Sequence, residues 1–204
     1  MPAFAFATIR SSTDAPKVAV SETGVLSDAQ LLALAGESQR DALDALYTAY
    51  KSRIYTFLLR FLADPELADD VTQEAFTKAF SALPNLQRGT KVLPWLYKVA
   101  SNTAIDHLRR KKRFTWIRMG EMQNTRHEPH SADASGGVGE REHVQAVLRT
   151  LPPENSIALL LHALEGYSYK EIADIQGCSL TAVRSRIARA RIAFRAAYAT
   201  KEPR

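Results

Sequence analysis

The 204-residue chain holds a single cysteine, Cys178. No disulfide framework closes within it, which points to a reducing compartment. No apolar run approaches the length of a membrane span, so no membrane insertion is expected. The opening MPAFAFATIR lacks the basic region and long apolar core of a secretory signal, and a cytoplasmic location is expected. Also missing are a convincing strand pattern, an internal repeat, a glycine-rich phosphate loop, and a serine or cysteine nucleophile with partners in view. No catalytic site and no cofactor are therefore expected. His127 and His130 stand without acid or thiol company and fall short of a metal-ligand set. Cys178 lies in a turn and reads as a small buried residue rather than a redox sensor.

Charge is present but unevenly spread. Against a net charge of +5, residues 27–82 carry −4, residues 83–118 carry +8, residues 119–165 carry −4 and residues 166–204 carry +5. Two basic blocks alternate with two acidic ones. This suggests two contacts with a polyanion and two surfaces for something else.

Helical periodicity begins at Ser27, a good cap. Leu43, Leu46, Tyr47, Tyr50, Ile54, Phe57, Leu58 and Phe61 trace a long amphipathic helix that ends near Asp64-Pro65. A second helix is expected over 65–82, with Pro65 in its first turn and Leu67, Val71, Ala75, Phe76, Ala79 and Phe80 on its apolar face. A proline-bounded loop follows over 84–94, then a helix from about Pro94 to Lys112. Residues 119–139 are polar and rich in Gly and Ser. Helices resume at about Glu140. The expected fold is all-α: two small helical domains, 27–113 and 140–200, joined by a flexible linker at 114–139, with 1–26 as a mobile extension.

The last basic block holds five arginines within residues 184–195. Val183, Ile187, Ala190 and Phe194 form its apolar stripe. Thr181, Ser185, Ala188 and Arg189 face away, with Arg184, Arg191 and Arg195 on one flank and Arg186 on the other. Small residues edged by arginines let a helix approach a polyanion closely. The alternative is an ordinary solvated helix, but such helices mix in acids for internal pairing, and the only acid between Glu171 and Glu202 is Asp174. Upstream, Ser168 with Glu171 fits a capping box, Gly177 suits a left-handed turn residue, and Ser179 suits the next N-cap. That is a helix-turn-helix pattern, whose second helix enters the DNA major groove.

The other basic helix is WLYKVASNTAIDHLRRKKR. Leu96, Val99, Ala100 and Thr103 are expected inside, and Lys98, Asn102, Ile105 and Arg109 on another side. Asparagine is a weak helix former, so Asn102 in mid-helix asks for a task, and its amide offers both donor and acceptor to the edge of an unpaired base. Trp95 and Tyr97 are candidates to stack on bases. Arg109, Arg110, Lys111, Lys112 and Arg113 suit phosphates, although a helix C-terminus favours two or three cations anyway. On 65–82, Asp69, Gln73 and Thr77 share one line with Asp70 and Glu74 beside it. This is either ordinary N-terminal acid or a protein-binding face.

These segments resemble an extracytoplasmic-function sigma factor of bacterial RNA polymerase, the minimal group with only domains sigma-2 and sigma-4. DDVTQEAFTKAF resembles the polymerase-binding motif, WLYKVASNTAIDHLRRKKR the promoter-melting and minus-10 motif, and YSYKEIADIQGCSLTAVRSRIARAR the minus-35 helix-turn-helix. The resemblance covers about residues 28–197. It implies that Asp69, Asp70, Gln73 and Glu74 dock on the clamp helices of the polymerase beta-prime subunit, with the beta flap as a further contact. It implies minus-10 contacts from Asn85, Arg88, Lys91, Trp95, Lys98, Asn102, Arg109, Arg110, Lys112 and Arg113, the loop Asn85 to Val92 and Asn102 forming the pocket for a flipped base. Minus-35 contacts are implied for Ser179, Thr181, Arg184, Ser185, Arg186, Ala188, Arg189 and Arg191, of which Arg186 and Arg191 lie near phosphates. Core polymerase, promoter DNA and an anti-sigma factor are the implied partners. Lys91-Val92-Leu93-Pro94 and Ala188 depart from the family pattern. A stand-alone helix-turn-helix regulator is the main rival, and a nuclease a distant one.

Overall fold

The computed structural model describes the backbone of residues 26–121 and 138–199, and the side chains of 26–113 and 143–197. The extension, apart from Leu26, lies outside the described residues, as do residues 122–137 of the expected linker with His127 and His130, and the tail from Thr200. Among the described residues the secondary structure is entirely helical: α1 (Asp28–Glu37), α2 (Gln39–Leu62), α3 (Pro65–Ala82), a 3-10 turn (Leu83–Asn85), α4 (Val92–Glu121), α5 (Val138–Thr150), α6 (Pro153–Ala163), α7 (Tyr169–Gln176) and α8 (Leu180–Ala199).

Local chemistry accounts for most boundaries. Ser27 and Gln30 close a capping box at the start of α1. Ser38 both ends α1 and caps α2, its hydroxyl accepting from the Asp41 amide, so one extended residue separates the two helices. Ala63 ends α2 in the left-handed conformation (φ 53°). Asp64 then accepts the Leu67 amide at 3.1 Å, and Pro65 supplies the first helical residue of α3.

The fourth helix departs from the expected bounds. It begins at Val92 rather than near Pro94, because Pro94 falls inside the first turn, where its missing N–H has no intrahelical partner to lose. Val92 is fully buried and anchors that turn. The helix also continues past Lys112 to Glu121, since no glycine interrupts the run before Gly120.

Helices α2, α3 and α4 pack around Leu46, Phe57, Leu58, Val71, Phe76, Leu96 and Ala100, with α1 laid across α2. Helices α5 to α8 pack around Leu148, Ile157, Leu161, Ile172, Val183 and Ile187. The two groups of helices correspond to the two helical domains expected from periodicity, and they share one continuous buried cluster, with α4 against α7 and α2 against α5 and α6. The expected positions of Leu96, Ala100 and Thr103 hold. Ile105, placed with Lys98 and Asn102 from spacing, is 9% exposed and belongs to the core. Helix α4 is enclosed by neighbours on more than one side, so its apolar arc is wider than a single stripe.

Candidate nucleic-acid and polymerase interfaces

The helix-turn-helix is built from its caps upward. Ser168 and Glu171 form the capping box of α7. Gly177 closes α7 at φ 60°, ψ 42°, and its amide and that of Cys178 return to carbonyls of the last turn. Ser179 then accepts the Ala182 amide at 3.2 Å and starts α8. Val183, Ile187 and Ala190 are sealed against α6 and α7. Consequently Ser179, Thr181, Arg184, Ala188 and Arg189 are exposed and Ser185 half-buried, along the outward face. No carboxylate among the described residues pairs with Arg184 or Arg189.

Two of the expected phosphate contacts on α8 are placed differently. The Nη1 of Arg186 donates to Gln176 Oε1 at 2.7 Å and to Cys178 Sγ at 3.2 Å, and Gln176 Nε2 donates to the Glu154 carbonyl at 2.9 Å. Arg186 thus braces the turn, and Cys178 is its half-buried acceptor. Arg191 is half-buried as well, its Nε enclosed with no hydrogen-bond partner among the described residues.

On α4, burial leaves a narrow exposed stripe: Lys98, Asn102, Asp106, Arg109 and Arg110. Ser101 and Thr103 on either side of Asn102 are buried, so the amide stands out of an otherwise enclosed helix. Lys112 and Arg113 continue the exposed end. The two aromatic candidates differ in exposure. Trp95 packs half-buried against Leu83 and its neighbours. Tyr97 is fully buried, its ring edge-on to Phe57 and Tyr167 at centroid distances of 5.0 and 5.6 Å. In the preceding loop Asn85, Arg88 and Lys91 are all exposed. Asp106, an acid that the net charge of its block conceals, lies 4.0 Å from Arg109 within the basic stripe.

On α3, Asp70 and Gln73 are exposed and Asp69 is half-buried, Gln73 Nε2 donating to Asp69 Oδ2 at 2.8 Å. Glu74 behaves otherwise. Its carboxylate takes Lys78 Nζ at 2.7 Å, His107 Nε2 at 2.5 Å and Arg110 at 3.5 Å. The Lys78 hydrogen bond, followed by that of His107, lowers the Glu74 pKa from 4.5 to about 2. Glu74 therefore ties α3 to α4 rather than facing outward. His107 lies 33 positions away, so no local pattern announces this pairing. Beside Asp69, an open groove of roughly 560 Å³ is lined by Tyr47, Thr48, Lys51, Ser52 and Tyr55 of α2, of which the apolar period singled out Tyr47 alone.

Two helical modules, the second a helix-turn-helix with an arginine-edged outward face, have the architecture of a DNA-binding protein. Residues 46–114 match the Sigma-70 region 2 family model and residues 141–194 match Sigma-70, region 4. The chain is 33% identical over 176 residues to the RNA polymerase sigma-H factor of Pseudomonas aeruginosa, covering 82% of this chain and 91% of that one. It is 30% identical over 182 residues to the ECF RNA polymerase sigma-E factor of Escherichia coli K12, covering 83% and 93%. Among solved structures it resembles CnrH in complex with the cytosolic domain of CnrY, with a TM-score of 0.63, 24% identity and coverage of 86% and 99%. It also resembles the sigma factor RpoE in complex with the anti-sigma factor NepR from Bartonella quintana, with a TM-score of 0.59, 19% identity and coverage of 76% and 96%. The chain belongs to the extracytoplasmic-function sigma factors of the sigma-70 family. It is a transcription initiation factor that works with RNA polymerase on promoter DNA. No helix among the described residues is long and apolar enough to cross a membrane.

Proposed function

We propose that residues 27–113 hold core polymerase and the minus-10 strand, and that residues 140–200 hold the minus-35 duplex, each through the surfaces described above. Asp69, Asp70 and Gln73 on α3 dock on the clamp helices. Lys98, Asn102, Arg109, Arg110, Lys112 and Arg113 on α4, with Asn85, Arg88 and Lys91 of the loop, take the open strand. Thr181, Arg184, Ser185, Ala188 and Arg189 face the minus-35 groove. The chain carries out no covalent chemistry of its own and acts in the cytoplasm, under an anti-sigma factor. The likeness to RpoE, a sigma factor solved in complex with the anti-sigma factor NepR, supports that last element.

The observation that carries the reading is Asn102. It is an exposed amide in mid-helix between two buried residues, on a stripe that otherwise carries charge. An amide there costs helix stability, and it offers paired donor and acceptor atoms to a base turned out of its stack. Most affinity comes from phosphate neutralisation, while capture of the extruded base offsets an unstacking cost of a few kcal/mol.

The test is run-off transcription with core polymerase, beginning with the promoter of the chain's own operon. Wild-type protein should direct initiation from a defined start. Asn102→Ala should depress open-complex formation, followed by permanganate reactivity, more than closed-complex binding. Equal losses in both steps would remove the pocket role.

A further inference from the structure

One acid stands on a surface otherwise suited to an anion. Asp106 is the sole carboxylate of residues 83–118, a span that also holds four lysines and five arginines. Its side chain is 52% exposed, on the stripe of α4 that carries Lys98, Asn102, Arg109 and Arg110. Ala104 and Ile105 before it are buried, and His107 after it turns to Glu74. Asn102 and Asp106 are therefore neighbours on the exposed face, four residues and about 6 Å apart along the axis.

Helix stability accounts for little of this. Asp106 lies in the middle of α4, away from the N-terminal turn where the macrodipole stabilises an acid. Arg109 Nη1 lies 4.0 Å from Asp106 Oδ1, and both side chains are more than half exposed, a geometry worth little in water. Arg109 also has a nearer carboxylate, Glu154 at 3.4 Å. Asp106 makes no other hydrogen bond or ion pair among the described residues.

An ionised carboxylate only accepts hydrogen bonds. Phosphates repel it, so on a strand-binding surface it costs affinity unless a donor meets it. An open strand carries such donors on its bases. Cytosine, adenine and guanine each present an exocyclic amine, whereas thymine presents its O4 oxygen, and unpaired bases leave these edges free. We propose that Asp106 is a specificity-determining residue for the open strand. It accepts from the exocyclic amine of the base next to the one held at Asn102, and it disfavours thymine there. This role rests on the reading of α4 as the surface for the open strand. The spacing fits it. Stacked bases rise by about 3.4 Å. The separation of about 6 Å between Asn102 and Asp106 suits two bases parted when one leaves the stack. Arg109 and Arg110, one turn further on, offset the repulsion between the carboxylate and the phosphates.

The experiment uses the full chain with core polymerase on the promoter of its own operon, the minus-10 element randomised and the transcribed sequences counted at each position. Wild type should deplete thymine about tenfold at one position, beside the position where Asn102→Ala alters base preference. Asp106→Asn keeps the shape and supplies an amide that also donates to a carbonyl. It should erase that depletion and leave the other positions as in wild type, and Asp106→Ala should do the same. A second arm measures binding to a pre-opened promoter that carries, at that position, either the favoured base or its analogue without the exocyclic amine. The analogue should weaken wild-type binding about tenfold and leave Asp106→Ala binding unchanged. Asp44→Asn makes the same charge change at an exposed acid of α2 and should keep the wild-type profile. A uniform gain in Asp106→Asn would overturn the proposal, since the carboxylate would then only repel phosphate. A uniform loss would overturn it too, since the carboxylate would then only hold Arg109. The same change in Asp44→Asn would do so as well. If Asn102→Ala alters base preference and the Asp106 variants do not, only the role of Asp106 falls. If none of them alters it, the assignment of α4 to the open strand falls with it.

Discussion

Replacing Glu74 by Gln keeps the shape of the side chain and removes its charge. In the folded protein Lys78 and His107 lower this carboxyl from 4.5 to about 2. A shift of that size, fully shielded from water, corresponds to about 3 kcal/mol. The Glu74 side chain is 32% exposed. Solvent screening therefore leaves about 1 kcal/mol as the stabilisation it supplies. Because the folded value is depressed, the unfolded chain takes up the proton first on acidification. The contribution is whole above about pH 4.5 and is lost progressively as the pH falls toward 2. Glu74→Gln should thus be less stable than wild type by about 1 kcal/mol at pH 7 in urea unfolding, with an unchanged m value. The gap should narrow measurably by about pH 3. Affinity for core polymerase, measured on folded protein, should hardly change, since the carboxylate turns toward α4. A variant as stable as wild type at pH 7, or a gap independent of pH, would refute the interhelix role. A large loss of polymerase affinity at unchanged stability would return Glu74 to the docking face.

Arg189→Ala should lose about 1–3 kcal/mol of binding at one minus-35 base pair, measured across a panel of single-substituted duplexes. A uniform loss over the panel would make Arg189 a phosphate contact. Gly177→Ala meets no atom within 4 Å of the added Cβ, so its cost is purely conformational. At φ 60° that cost is about 1 kcal/mol, seen as a lower Tm with minus-35 binding intact at temperatures where the variant is folded. A Tm equal to wild type would show that the turn relaxes out of the left-handed region.

Much of the fold was written locally. The caps at Ser27, Ser168 and Ser179, the left-handed Gly177 and the Pro65 start of α3 each act within four residues of themselves, and each holds in the structure. The buried stripe of α8 and the exposure of Asn102 follow from a single helical period, and they too hold. Errors entered where a residue faces two neighbours at once. Ile105 lies on a line with Lys98 and Asn102, yet α4 is enclosed more widely than one stripe, so Ile105 is core. Tyr97 flanks a basic helix and invites a stacking role, but it is fully buried, with Tyr167 of the second module edge-on to its ring.

The order of motifs and their residue types determined the family and the all-helical character of this chain, because helix propensity, capping and amphipathic period are properties of neighbours in sequence. Only the tertiary structure decided how charge is used. Arg186 turns inward to Gln176 and Cys178, Glu74 crosses to His107, and Glu165 crosses to Arg53 and Tyr97 over separations of 112 and 68 residues. A charged side chain is indifferent to which opposite charge it meets. Its partner is set by the packing of apolar faces that bring distant helices together, and no period along the chain encodes that meeting.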